Sequence, residues 1–281
     1  MKQHKNPTLG ELIGQIREHR ATFIVWMILR ILVIGIAVRS AHTHQWERFF
    51  TCILTLILFL APSFVQKKLR IKLPTALEIT VLIFIFCAEV LGEIACFYIK
   101  YPLWDTMLHT VNGFLFAAFG FCLVDLLNEN HSVKFHLSPS FLALVAFCFS
   151  MTIGIFWEFF EYAMDHLFAL DMQKDTILTA FQSVTLDETR QNNPVAVQNI
   201  TRTVIETADG TKYVISGYLD IGLTDTLKDL FVNFIGAAVF SLLGRIYVRQ
   251  RGKNSIAAAF IPVVAVSEAQ RAADTENRGN L

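Results

Sequence analysis

Residues 104–127 read WDTMLHTVNGFLFAAFGFCLVDLL, an apolar run of helical length whose first half carries Asp105, His109 and Asn112. About 20 apolar residues cross a bilayer as a helix, so this run predicts a transmembrane span. The three polar residues are four and then three positions apart, which places them on one helix face. Ionisable side chains are costly inside a membrane and usually face a bundle interior or an aqueous cavity. The run therefore indicates both the fold class and where function lies.

Five further runs of similar character occur along the chain. They are residues 21–39, 47–65, 76–99, 140–168 and 225–247. The 281-residue chain is 54% hydrophobic and only 17% charged, a composition typical of polytopic membrane proteins. The apolar runs lead us to expect the lipid bilayer as a partner. The formal net charge is zero, so we expect no nucleic acid as a partner. We predict an all-α bundle of about six transmembrane helices, the first of which is an uncleaved span.

Lys and Arg residues beside the runs predict the orientation of the spans. They cluster on one side of a six-span arrangement, at Lys2, Lys5, Arg17, Arg20, Lys67, Lys68, Arg70, Lys72, Arg245, Arg249, Arg251 and Lys253. Positive residues mark cytoplasmic loops, so both termini are predicted to be cytoplasmic and residues 170–222 extracytoplasmic. We expect residues 1–20 to be a cytoplasmic amphipathic segment, residues 21–248 to be the membrane domain, and residues 249–281 to be a disordered tail.

The long loop contains one recognisable local pattern. Residues 201–216, TRTVIETADGTKYVIS, alternate β-branched residues around Ala208-Asp209-Gly210. Alternation around a turn that tolerates positive φ predicts a β-hairpin. The hairpin could be a lid, a flap that binds a partner, or a local feature of a solvated loop.

Two other runs carry polar faces of the same kind as residues 104–127. Together the three faces comprise Asp105, His109, Asn112, Glu158, Glu161, Asp165, Asp225, Asp229 and Asn233. Their spacings of three and four place each set on one side of its helix. In the predicted topology all nine lie toward the outward ends of their spans. We therefore predict an outward-facing polar pocket between helices.

The pocket would hold many carboxylates and few bases. Like charges and burial both disfavour ionised carboxylates, so such a pocket requires protons, a cation or basic side chains. Carboxylates and imidazole are common metal ligands, which makes His109, Glu158, Glu161 and Asp229 the candidate ligands of a divalent cation. Arg30, in the middle of the first run, is expected to pair with an acid of a neighbouring span.

Simpler roles remain open for several of these residues. Asp225 at the start of a helix is also favoured by capping and by the helix dipole. Asn112 and Asn233 could instead form hydrogen bonds between helices.

The order of these residues resembles a known family. The pattern runs Trp104-Asp105, His109, Gly113, then Trp157-Glu158, Glu161-Tyr162, Asp165, then Asp225-Thr226, Asp229, Asn233 and Gly236. It resembles the YjdF-like family of bacterial inner-membrane proteins and is more distantly similar to VanZ-like membrane proteins. Thr106 and Glu161 stand where VanZ-like proteins commonly have Lys and Gln, which favours the YjdF-like resemblance. The resemblance implies a location in the bacterial plasma membrane and supplies no activity.

Three functions are open on this basis. The first is binding of a cation or of a lipid or envelope headgroup in the acidic pocket. The second is an enzyme that acts on a lipid or envelope precursor, because a His beside carboxylates can perform acid–base catalysis, although familiar metalloprotease, phosphate-loop and nucleophile-elbow motifs are absent. The third is a proton- or cation-coupled transporter. The inner halves of the spans are apolar, which ranks a pocket above a transport path.

Overall fold

The protein is described by a computed structural model that covers residues 20–69, 71–128, 137–250 and 256–264. Within these residues, six helical segments are long and apolar enough to cross a membrane. They are Arg20–His42, Trp46–Leu69, Thr75–Ile94, Trp104–Val124, Pro139–Phe168 and Leu223–Arg249. Each coincides with one predicted run, so the prediction of a six-span helical membrane protein is confirmed. The predicted amphipathic segment before Arg20 and most of the predicted tail lie outside the described residues.

The helices have the following bounds. They are α1 Arg20–His42, α2 Trp46–Leu58, α3 Ala61–Leu69, α4 Thr75–Ile85, a π-helix Phe86–Ile94, α5 Phe97–Lys100, α6 Trp104–Asn128, α7 Pro139–Phe168, α8 Leu223–Arg249 and a 3-10 helix Ile256–Ala259.

Local sequence explains where two of the helices begin or end. The N–H of Phe141 donates to Ser138 Oγ at 3.2 Å, and Pro139 occupies the first helical position, where a missing N–H costs little. The third span ends at Ile94, five residues earlier than the run 76–99 predicts. Cys96 has a left-handed backbone with φ of 61°, which a right-handed helix cannot continue.

The chain divides into two compact units, which are residues 1–152 with 232–281 and residues 153–231. Both α7 and α8 contribute residues to each unit. The first unit contains α1 to α6, the first half of α7 and most of α8. The second contains the remainder of these two helices and the loop that joins them.

The first unit has separate apolar clusters. Val33 of α1, Cys52 of α2 and Leu82 of α4 are at most 1% exposed and pack together. Ala118 of α6, Ala146 of α7 and Phe240 of α8 form part of another cluster. These contacts pack the spans against one another through small, aliphatic and aromatic side chains.

Helices α6 and α8 approach so closely that their backbones nearly touch. A Cβ added at Gly113 would lie 2.1 Å from the carbonyl oxygen of Asn233, and one added at Gly236 would lie 1.9 Å from that of Thr110. Small residues permit this kind of approach between membrane helices. The two glycines are therefore packing residues.

Arg30 does not form the expected ion pair within the described residues. Its guanidinium lies over the ring of Trp26, 3.8 Å from the ring centroid. Its Nε and Nη2 atoms are buried without a hydrogen-bond partner. Trp26 is one turn before Arg30 on α1, and helical side chains lean toward the N-terminus, so stacking on the same helix replaces pairing with a neighbouring span.

The strands are short and lie outside the spans. They are β1 Ile71–Lys72, β2 Thr176–Leu178, β3 Phe181–Ser183, β4 Val195–Val197, β5 Thr203–Glu206, β6 Lys212–Ile215, β7 Tyr218–Asp220 and β8 Val263–Val264. Within the described ranges they form four antiparallel pairs, β1 with β8, β2 with β7, β3 with β4, and β5 with β6.

The predicted hairpin is confirmed as β5 and β6. Val204 lies opposite Val214 and Ile205 opposite Tyr213, while Gly210 has φ of 86° in the turn. The β2–β7 pair was not predicted. Its partners begin and end the loop, so this short ladder joins the two ends of the loop in the second unit.

Candidate functional site

Asp105 and His109 lie together at the beginning of α6. His109 Nε2 is 3.5 Å from Asp105 Oδ1, and the two side chains are 10% and 21% exposed. Their spacing of one helical turn makes this contact possible. A carboxylate beside an imidazole can orient it, share its proton or ligate a cation with it.

Asn112 and Asn233 join α6 to α8 rather than opening into solvent. Asn112 Nδ2 donates to Asn233 Oδ1 at 3.4 Å, and Asn233 is 1% exposed. Ser150 Oγ of α7 donates to the carbonyl oxygen of Gly113 at 2.7 Å. These bonds accompany the close approach at Gly113, so within the first unit the two asparagines are hydrogen-bonded between helices.

In the second unit, the C-terminal half of α7 carries two buried glutamates. Glu158 is 5% exposed and Glu161 is 7% exposed. The indole Nε1 of Trp157 donates to Glu161 Oε1 at 2.8 Å. That bond orients one carboxylate oxygen of Glu161.

Asp165 binds the backbone at the start of the loop. Its Oδ1 accepts from the N–H of Met172 at 2.6 Å and its Oδ2 from that of Gln173 at 2.9 Å. Bonds from N–H groups to an ionised carboxylate are among the stronger hydrogen bonds in proteins. Both oxygens of Asp165 therefore serve to hold residues that follow α7.

Asp225, at the start of α8, binds the backbone of Lys174, the residue that follows Gln173. Its Oδ2 accepts from the N–H of Lys174 at 2.8 Å, and its Oδ1 is 3.9 Å from Lys228 Nζ. The side-chain amide of Gln173 donates to Thr226 Oγ1 at 2.7 Å. We call residues 172–174 the strap, because they are bound at one end by α7 and at the other by α8.

The buried side chains of the second unit are all carboxylates, and four of them lie on its helices. Glu158, Glu161, Asp225 and Asp229 are each at most 8% exposed, and Asp229 is only 1% exposed. None of the five Lys and Arg residues among residues 153–231 is buried. Those residues contain twelve Asp and Glu, a formal charge of −7, and the rest of the chain carries +7. The unit therefore has a large excess of negative charge, and part of that charge lies at low solvent exposure.

A shallow cleft of about 240 Å³ opens beside the strap. It is lined by Asp165, His166, Leu170, Asp171, Gln173, Asp175 and Ile221. Desolvation, and then the nearby carboxylate of Asp171, raise the pKa of Asp175. Repulsion between carboxylates therefore also raises the pKa of an exposed acid of this unit.

Asp187 is a buried carboxylate whose role is to hold the loop together through hydrogen bonds. It is 8% exposed and accepts from the N–H and hydroxyl of Thr189, the N–H of Gln191 and the N–H of Asn193, at 2.6 to 3.0 Å. These bonds, that of the Thr189 hydroxyl first, hold the pKa of Asp187 below its usual value. The spacing Asp-x-Thr, typical of a side chain that bonds backbone two residues on, is the sequence signal for this turn.

The nine predicted pocket residues thus fall into two sets. Asp105, His109, Asn112 and Asn233 belong to the first unit, where they form two contacting pairs. Glu158, Glu161, Asp165, Asp225 and Asp229 belong to the second. The structure brings Asp165 and Asp225 to neighbouring residues of the strap. That all nine line a single pocket stays a prediction.

Comparison with known proteins identifies a family. A family model described as predicted membrane protein (DUF2238) matches residues 21–250. No curated protein and no solved structure matches the chain. The YjdF-like resemblance is consistent with this family, whereas the more distant likeness to VanZ-like proteins has no support.

Proposed function

The chain belongs to the DUF2238 family of predicted membrane proteins, and we propose that it binds a cation through buried carboxylates on the outward side of the bacterial plasma membrane. The observation that carries this proposal is the burial of Glu158, Glu161 and Asp229 in a unit whose Lys and Arg residues all remain at least partly exposed. Removing several ionised carboxylates from water costs several kcal/mol for each of them. A bound cation lowers that cost and offsets part of the −7 charge of the unit.

The donor atoms favour a hard cation. Carboxylate oxygens are the preferred ligands of Mg²⁺, Ca²⁺ and Mn²⁺. Glu158 and Glu161 are three residues apart on α7, a spacing that places both on one helix face, and Asp229 supplies a third carboxylate from α8. The ammonium of an envelope headgroup is the other cation that this charge would attract.

The orientation in this proposal follows from positive residues in the flanks of the spans. With cytoplasmic termini, the loop between α7 and α8 is extracytoplasmic. The −7 charge of residues 153–231 is then presented to extracytoplasmic cations.

Mn²⁺ titration of the purified full-length protein, followed by electron paramagnetic resonance of the free ion, tests the proposal. We expect Glu158→Gln and Asp229→Asn to weaken Mn²⁺ binding by about tenfold or more, since even the loss of a group that only supports a ligand costs 10–100-fold. Asp187→Asn is the matched control, because its carboxylate is buried in the same unit but is occupied by backbone N–H groups. The same titration of His109→Gln tests the histidine of the predicted ligand set.

Two outcomes would count against a metal ion. Equal binding by the wild type and by both carboxylate variants would reject those residues as ligands. Absence of Mn²⁺ binding, together with loss of co-purified phosphatidylethanolamine from Glu158→Gln, would identify the cation as a headgroup ammonium. If the protein bound no Mn²⁺ and Glu158→Gln retained as much phosphatidylethanolamine as the wild type, the proposal would be refuted.

A further inference from the structure

The strap, residues Met172 to Lys174, ties together the two helix ends of the second unit. Three consecutive backbone N–H groups donate to two carboxylates, Asp165 of α7 and Asp225 of α8, at 2.6 to 2.9 Å. The amide of Gln173 adds a fourth bond to Thr226. These four hydrogen bonds hold three residues without regular secondary structure to both helices.

Each carboxylate that holds the strap lies one helical turn outside a buried acid. Glu161 is four residues before Asp165 on α7, and Asp229 is four residues after Asp225 on α8. Residues four apart share a helix face. Glu161 and Asp229 are at most 7% exposed, Asp225 is 8% exposed, and Asp165 is partly exposed. The strap therefore crosses the outer end of the two faces that carry the buried acids.

We propose that the strap gates access to the buried carboxylates of this unit, with Asp165 and Asp225 as its latches. Release of the three N–H groups frees residues 172–174 to move away from the helix ends and opens a path to Glu161 and Asp229. The backbone turns sharply where the chain returns to α8, since Gly222 has φ of 112°. A Cβ there would lie 2.7 Å from Gln173, so the returning chain packs directly against the closed strap. The biological purpose of such a gate rests on the proposed function, because a cation must enter and leave.

Hydrogen–deuterium exchange of the full-length protein in nanodiscs tests the latches. Asp165→Asn, Asp225→Asn and the double variant are expected to accelerate amide exchange at residues 172–174 by about tenfold or more, because hydrogen bonds to charged groups are the costlier ones to lose. Asp187→Asn is again the matched control: it should accelerate exchange at residues 189–193 and leave the strap unchanged. Thr226→Val, which removes only the bond from Gln173 and preserves both carboxylates, gives a smaller effect in the same peptide and serves if the aspartate variants do not fold.

Carboxyl labelling with a water-soluble carbodiimide and an amine, located by mass spectrometry, tests the gate itself. Labelling of Glu161 and Asp229 is expected to rise in parallel with exchange at the strap and to remain at the wild-type level in the control. Unchanged exchange at residues 172–174 would overturn the role of the latches. Faster exchange with unchanged labelling would overturn the gate.

These measurements require no bound ion. Failure of Mn²⁺ binding would therefore remove the proposed function and leave the strap result standing. Failure of the labelling result would remove the gate and leave cation binding untouched.

Discussion

Substitution of Gly236 by Ala should destabilise the packing of α6 against α8. The new Cβ would lie 1.9 Å from the carbonyl oxygen of Thr110, and side-chain carbons essentially never approach closer than 3.0 Å. The two helices must therefore separate locally by at least 1.1 Å, the difference between these distances. The obstacle is a backbone carbonyl, which cannot swing aside as a long side chain can.

The expected loss is about 1–3 kcal/mol, the usual cost of inserting an extra carbon into a well-packed core. At roughly 2–4 °C per kcal/mol, the midpoint of thermal unfolding should fall by about 2–12 °C. The measurement is size-exclusion chromatography of the full-length protein in detergent after heating to a series of temperatures.

Gly35→Ala is the matched control, because a Cβ at this position of α1 meets nothing within 4 Å. Ala is about 1 kcal/mol better than Gly in a helix interior, so this variant should be as stable as the wild type or more so. The reasoning would be refuted if Gly236→Ala unfolded at the same temperature as Gly35→Ala. It would also be refuted if both variants lost stability equally.

Three further outcomes follow from single contacts. Ser150→Ala removes the bond to the carbonyl oxygen of Gly113 and should cost about 0.5–1.5 kcal/mol in the same heating assay, with no loss if the bond is not formed. The pKa of Asp187 is lowered in the folded protein, so its ionised form stabilises the loop at pH values above the carboxyl's ordinary pKa, and this stabilisation is lost as the pH falls through the lowered pKa. Amide exchange at residues 189–193 should therefore accelerate over that pH range in the wild type. The Asp187→Asn variant should show no such transition. The raised pKa of Asp175 has the opposite sign: its ionised form weakens the fold at neutral pH and the penalty disappears as the pH falls through the raised value, so Asp175→Asn should raise the unfolding midpoint at pH ~7 and leave it unchanged near pH ~3.

The spans could be predicted from the sequence because the membrane imposes a simple requirement. Every helix that crosses it needs about 20 apolar residues, and the composition of each run shows that directly. The π-helix Phe86–Ile94 lies inside such a run. Its wider turn is invisible to a hydropathy pattern, since the same residues are apolar in either kind of helix.

The candidate site was predictable only in its residue types. Helical spacing indicates that Glu158 and Glu161 share a face, and both residues are buried. The roles of Asp165 and Asp225 were not predictable, because they depend on which backbone N–H groups a carboxylate meets. Lys174 and Asp225 are 51 residues apart in sequence, and no local pattern fixes that pairing.

Arg30 shows the same limit for a charged residue within a span. The cost of an unpaired charge in a membrane argues for an acidic partner on another helix. The indole of Trp26, one turn away on the same helix, satisfies the guanidinium face instead. Cation–π stacking of this kind competes with ion pairing, and the sequence is compatible with either interaction for Arg30.

The −7 charge of residues 153–231 has a consequence for any experiment on ion affinity. A polyanionic surface gathers a diffuse cloud of counter-ions even where no side chain coordinates one. That cloud extends about 10 Å at 0.1 M salt and only about 3 Å at 1 M. Divalent ions retained in dilute buffer therefore include loosely condensed ones, whereas ions that persist in molar potassium chloride are held by direct coordination.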